Sequence, residues 1–103
     1  MAQGVARVGD TIVGYCNGPG HSANREFVGV WVSGSGTVTA DGLSVVRVGD
    51  IGVTDCNHTV VAITGASMSS ADGIAVHRVG DVCVTEGNGV GTTSSGSTTV
   101  TSE

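Results

Sequence analysis

The segment SADGIAVHRVGD (residues 70–81) restates TADGLSVVRVGD (residues 39–50), with eight of the twelve positions identical. Three of the four changes are mild: Ser70 for Thr39, Ile74 for Leu43 and Ala75 for Ser44; the fourth sets His77 against Val46. The closing tetrapeptide occurs a third time, as Arg7-Val8-Gly9-Asp10. A phrase spelled three times in 103 residues marks a repeat architecture, in which one unit cannot bury its own apolar face but several packed together can.

Aligning the three copies extends the likeness forward, through TIVGYCN (11–17), IGVTDCN (51–57) and VCVTEGN (82–88). A Val and an Asn recur in all three, and a Cys precedes the Asn in the first two. Gly34, Gly65 and Gly96 follow at intervals of 31 residues. The first unit is longer by nine residues, which the alignment places around GPGHSANRE (18–26), and the third stops before its "ADG". One domain over residues 1–103 is therefore expected, built from units of roughly 7–46, 47–77 and 78–103. Three copies packed around an axis predict pseudo-threefold symmetry; three units with one deep insertion make a poor solenoid.

Composition sets the element type. The chain has 19 Val, 18 Gly and 4 Ile, but one Leu, one Pro and no Lys, which favours short strands and tight turns over helices. Each unit reads as a strand end at Val8, Val48 or Val79, a Gly-Asp turn, then an alternating segment such as Ile51–Val53 or Val82–Val84. The tail GVGTTSSGSTTVTSE (89–103) is low in complexity, yet the repeat register assigns strand near Gly96 and Val100.

Charge and motifs exclude several classes. With a net charge of −5 and four scattered Arg, there is no basic footprint for nucleic acid. No apolar run matches a secretory signal or a membrane-spanning helix, so synthesis and folding in a cytosol are expected. Three Cys do not close a disulfide framework. No Gly-x-Ser-x-Gly or similar nucleophile motif is present, and a non-enzymatic protein is expected.

The residues bearing chemistry lie in CNGPGH and DCNH. Cys56 and His58 stand two apart, on one face of a strand, and the turn residues between Cys16 and His21 can fold that His back toward its Cys. Two thiolates and two imidazoles suit tetrahedral zinc, and iron can use the same ligands. Cys83 aligns with Ile12 and Gly52 and reads as core; His77 aligns with Ala6 and Val46 and reads as structural. In the repeated tetrapeptide, Arg7, Gly9 and Asp10, with Arg47, Gly49, Asp50, Arg78, Gly80 and Asp81, read as a strand end, a Gly turn and an Asp bonding its own turn backbone.

Three units carrying Arg-x-Gly-Asp, with Cys and His in the turns beyond, resemble the PAAR-repeat family over essentially the whole chain. Ala6 with Arg7-Val8-Gly9-Asp10 is the nearest match to the family motif, and no copy has its Pro-Ala-Ala, as in a divergent member. The resemblance implies an all-β, pseudo-threefold cone that caps a trimeric β-helical spike, one copy per trimer. Such tips belong to contractile phage tails and type VI secretion systems and puncture a target envelope. The phage baseplate is the first expectation, because no toxin domain extends beyond residue 103; a type VI tip is the second. The family's apical metal implies Cys16, His21, Cys56 and His58 as ligands here, with nothing from unit three, where Gly87 replaces the Cys. A structural zinc supplies about 10–16 kcal/mol of apparent binding energy, which would tie strands together where a cone is too narrow for a core. The rival expectation is an independent metal-binding or redox module.

Overall fold

The computed structural model describes residues 3–16, 25–55, 58–66, 70–71, 73–85, 89–97 and 100–102; for Cys16, Arg25 and Ser102 it describes the backbone alone. The fold is an all-β, pseudo-threefold cone, with no helix among the described residues. Its strands are β1 (Gln3–Gly4), β2 (Thr11–Cys16), β3 (Arg25–Trp31), β4 (Thr39–Ala40), β5 (Leu43–Ser44), β6 (Ile51–Thr54), β7 (Thr59–Ala62), β8 (Ser70–Ala71), β9 (Ile74–Ala75), β10 (Val82–Thr85), β11 (Gly89–Thr93) and β12 (Thr101–Ser102).

Three hairpins, β2–β3, β6–β7 and β10–β11, join edge to edge into a closed six-stranded antiparallel barrel. Closure leaves no unpaired strand edge, the usual liability of short strands. At one end of the barrel sit three small ribbons, β4–β5, β8–β9 and β1–β12. Their registers are equivalent: Thr39 pairs with Ser44, Ser70 with Ala75, and Thr101 with Gly4. The third ribbon is thus assembled from the first and last described segments of the chain. Where β4 runs into β5 through the turn at Asp41-Gly42, this ribbon pairs strands from opposite ends of the described chain.

The pseudo-axis is visible in the backbone. Ala6 N–H donates to His77 O, His77 N–H to Val46 O, and Val46 N–H to Ala6 O, each at 2.9 Å, closing a ring of three. Around it the Arg-Val-Gly-Asp turns superpose. Gly9, Gly49 and Gly80 have φ of 96°, 96° and 88°, a region costly for any residue with a Cβ. In each turn the Asp Oδ2 accepts from the Arg backbone N–H and from Nε, and Oδ1 from Nη2, all within 2.8–3.1 Å. The Asp therefore bonds its own turn, as the sequence predicts. The same carboxylate also holds the Arg in a fork, which spacing alone does not reveal.

The alternation of the strands is real, but its faces are the reverse of a packed apolar stripe. In β6, Gly52 and Thr54 point inward while Ile51 and Val53 remain about 41% and 45% exposed. The reason is space. Six strands leave a narrow bore, so the pseudo-equivalent inward positions are filled unequally. Trp31 is equivalent to Ala62 and Thr93, Ile12 to Gly52 and Cys83, and Val60 to Gly29 and Gly91; in the fourth trio Phe27 and His58 are both buried beside Gly89. Trp31, Phe27 and Ile12 are accordingly among the largest fully buried side chains, while Tyr15, for all its size, stands outside. The strand pairings Tyr15–Glu26 and Cys16–Arg25 also show that Arg25 and Glu26 belong to the return strand, so the extra length of unit one includes added strand in this hairpin rather than a loop over 18–26 alone.

The tail contributes β11 to the barrel and β12 to the third ribbon. Gly96 lies beyond β11 rather than within a strand, and Val100 immediately precedes β12, its carbonyl accepting from Val5 N–H at 3.0 Å.

Candidate functional site

The two ends of the barrel differ in kind. At the hairpin end, the strand termini Cys16, Arg25, Thr54, Thr59, Thr85 and Gly89 share one rim, as their registers require. Two of the four residues read as metal ligands fall in the described part of this end: Cys16 closes β2 and His58 immediately precedes β7. Of them, His58 alone has a described side chain. His21 and Cys56 lie outside the described residues, and of Cys16 only its place as the last residue of β2 is given.

His58 is buried and occupies the inward position equivalent to Phe27 and Gly89. Its turn is closed by backbone bonds: Thr54 N–H donates to His58 O at 2.9 Å, and His58 N–H to Thr54 Oγ1 at 3.0 Å. Asp55 N–H reaches across to Val28 O at 2.9 Å, locking this hairpin against β3. Among the described residues no three His, Cys, Asp or Glu side chains converge on one point.

Cys83 and His77 stand where the alignment assigns them. Cys83 is fully buried in the barrel, and burial pushes its thiol up to about 11, against a smaller pull from the Gly91 backbone. Such a thiol is protonated and shielded, the opposite of a redox-active cysteine. His77 is fully buried at the axis. Its Nδ1 lies 2.7 Å from Thr64 O and its Nε2 2.7 Å from Thr93 Oγ1. A carbonyl can only accept, so Nδ1 carries the proton and Nε2 accepts from the Thr93 hydroxyl. That hydroxyl in turn accepts from Trp31 Nε1–H at 2.9 Å, and the two rings meet edge-on at 5.0 Å. Burial, with a lesser push from Arg78, holds His77 below the usual histidine range despite the Thr64 carbonyl and Asp81.

At the ribbon end, a pseudo-threefold apolar depression of about 170 Å³ surrounds the axis. Its lining repeats with the units: Val5, Val45 and Val76 form the floor, and Thr39, Ser70 and Thr101 stand at equivalent places beside them. Val38, Leu43, Ile74 and Val100, each 37–44% exposed, extend the apolar surface outward. Sequence reading passed over this face, because its valines look like ordinary strand residues; their recurrence at Val5, Val45 and Val76 was the available signal.

Below the depression, charge is fixed in a ring. Burial alone would raise Asp10, Asp50 and Asp81, but the guanidinium and backbone N–H of the partner Arg outweigh it and hold each carboxyl below the usual range. Ser95 and Ser33 hydroxyls add to this at Asp10 and Asp50, at 3.0 and 3.1 Å. In unit one, Asp41, at φ 54°, also accepts from Arg7 Nη1 at 3.0 Å and from Ser97 Oγ at 2.6 Å. No protein-family model and no curated protein matches the chain.

Proposed function

We propose that this protein is the tip of a contractile injection machine, seated by its ribbon end on a trimeric β-helical spike with its hairpin end forward. The observation that carries the reading is the threefold recurrence of Val5, Val45 and Val76 with Thr39, Ser70 and Thr101 around one apolar depression. One chain that presents three like sectors suits a blunt end made of three like chains. A phage baseplate, hence the virion, is the first setting, and a type VI tip the second. The role is mechanical: contraction force is delivered to a target envelope through a small, edgeless point, with no catalytic step. Cys16, His21, Cys56 and His58 are proposed to hold one structural metal, zinc first and iron second, tying the hairpins together beyond the barrel core.

The test is capture by a trimeric β-helical spike encoded beside this protein, followed by native mass measurement. One copy per trimer is expected; a 3:3 complex overturns the reading. Leu43→Asp with Ile74→Asp, at exposed ribbon positions, should abolish capture while leaving the melting transition in place. Elemental analysis tests the metal: Cys56→Ser should lose it, and Cys83→Ala should keep it.

A further inference from the structure

The outer wall of the barrel is the feature that the tip reading leaves unused. Every strand of the barrel contributes an outward apolar side chain, among them Val13, Val28, Val53, Val61, Val84 and Val90. Val28 and Val90 are more than half exposed. Among the described residues this belt carries no charge. The charged groups lie at its two borders: the Arg–Asp ring on the ribbon side, and Glu26 and Asp55 on the hairpin side. Tyr15 stands at the hairpin border, its hydroxyl donating to Glu26 at 3.3 Å, an aromatic body on the belt with a polar tip at the edge.

We infer that this belt contacts lipid acyl chains. Three observations choose lipid over another protein. The barrel is closed, so no strand edge is offered for a partner to extend. The belt runs around all six strands, whereas a docked protein covers one side; a surrounding medium covers all of it. Closure also satisfies the ladder hydrogen bonds internally, the condition for β-structure in hydrocarbon. The polarity profile fits as well. Four to five residues of strand, at about 3.3 Å each, give a belt of roughly 13–17 Å, the hydrocarbon depth of about one leaflet. An apolar outer wall between charged borders is the face that barrels present to lipid, here around a bore packed by Trp31, Phe27, Ile12 and Val60. With no Lys and a net charge of −5, attraction to anionic headgroups is not the driving force. The belt is thus fitted to slide through a leaflet without carrying unpaired polar groups into it.

The inference rests on the tip reading for its setting, but its test contains no spike, so failure of lipid contact and failure of capture are read separately. The whole protein is added to zwitterionic phosphatidylcholine vesicles and to a monolayer of the same lipid, and partitioning and surface pressure are measured. The comparison variant carries Val13→Thr, Val28→Thr, Val53→Thr and Val90→Thr, near-isosteric residues of high strand propensity on the outer face. Wild type should partition and raise the surface pressure, and the variant should partition at least tenfold more weakly with an unchanged far-ultraviolet spectrum. Partitioning should be equal at low and high salt and should not improve with anionic lipid. Absence of wild-type partitioning, equal partitioning by the folded variant, or binding that salt abolishes overturns the inference. Self-association that the variant relieves, without vesicle binding by wild type, assigns the belt to a second copy and also overturns it. Should the fourfold variant not fold, the pair Val28→Thr and Val90→Thr, the two most exposed valines, gives the same comparison with a smaller expected drop of about threefold.

Discussion

The ring of Arg-Val-Gly-Asp turns and the bore of the barrel were built from the same three repeats, yet one kept its symmetry and the other lost it. The turns stand away from the axis, where three forked Arg–Asp pairs fit side by side with nearly equal geometry. In the bore the three copies meet, and equal side chains would either collide or leave a void. One large residue with two small ones is the solution there, as in Trp31 with Ala62 and Thr93. Distance from the axis thus decides whether a repeated position stays repeated.

The strongest way to break this contrast is to enlarge a small member of a trio. A Cβ on Gly52 would lie 2.6 Å from Val30 O, 2.9 Å from Ile12 Cδ1 and 3.0 Å from Val60 Cγ2. Gly52→Val is expected to abolish folding or to cost more than the roughly 1–3 kcal/mol of ordinary overpacking, because backbone as well as side chains must move. Denaturant unfolding of any soluble fraction measures it; a variant as stable as wild type would mean that the bore is not tightly filled.

Next in size is removal of the large member. Trp31→Ala should cost about 3–5 kcal/mol by chemical denaturation, since it empties the bore and strips Thr93 of a donor. Adding Ala62→Trp moves the large residue one step round the axis and should recover part of the loss. A double variant less stable than Trp31→Ala alone would show that the trios are not interchangeable.

Away from the axis the three sites should behave alike. Asp10→Asn, Asp50→Asn and Asp81→Asn are each expected to cost about 1–3 kcal/mol, the range for hydrogen bonds to charged groups, and to agree with one another within about 1 kcal/mol. Their pH dependence has a definite sign. A carboxyl held below its unfolded value contributes stability that is present above about pH 4 and is lost as pH falls through the lowered folded value. Acid unfolding of wild type below pH 4, flattened in each Asn variant, is the expected result.

The smallest effect belongs to His77. Its folded value is depressed by burial, so neutral imidazole is the form the fold accepts. Stability is complete above the ordinary histidine value of about 6.5 and declines as pH falls from there toward the lowered folded value. Comparing wild type with His77→Gln between pH 5 and 7 isolates this residue from the other histidines. A slope that persists unchanged in the variant would remove His77 as its source.

These contrasts explain what could be read in advance. The turns were legible because every copy repeats them, and turn chemistry has few solutions for Gly followed by Asp. Alignment with Ile12 placed Cys83 in the core, and alignment with Ala6 and Val46, residues with no polar function, marked His77 as structural. The inward face was not legible: the Ile51-Gly52-Val53-Thr54 alternation has period two whichever side is buried, and only the width of the bore makes glycine the inner residue. The shared inward place of Phe27 and His58 was not legible either: the alignment sets the two together but does not say which face of the strand is buried. For the metal ligands, sequence reading supplied a set and a shared end of the molecule; the structure adds the inward place of His58.

The open third ribbon has a topological consequence. Since β12 and β1 pair as β4 does with β5, the backbone follows a circle that happens to be cut at one of three equivalent points. Linking β12 to β1 through an Asp-Gly pair and reopening the chain between Asp41 and Gly42 would give a circular permutant with the same barrel. Any polypeptide joined to the natural cut would leave the molecule from the rim of the ribbon end, beside the pseudo-axis rather than along it.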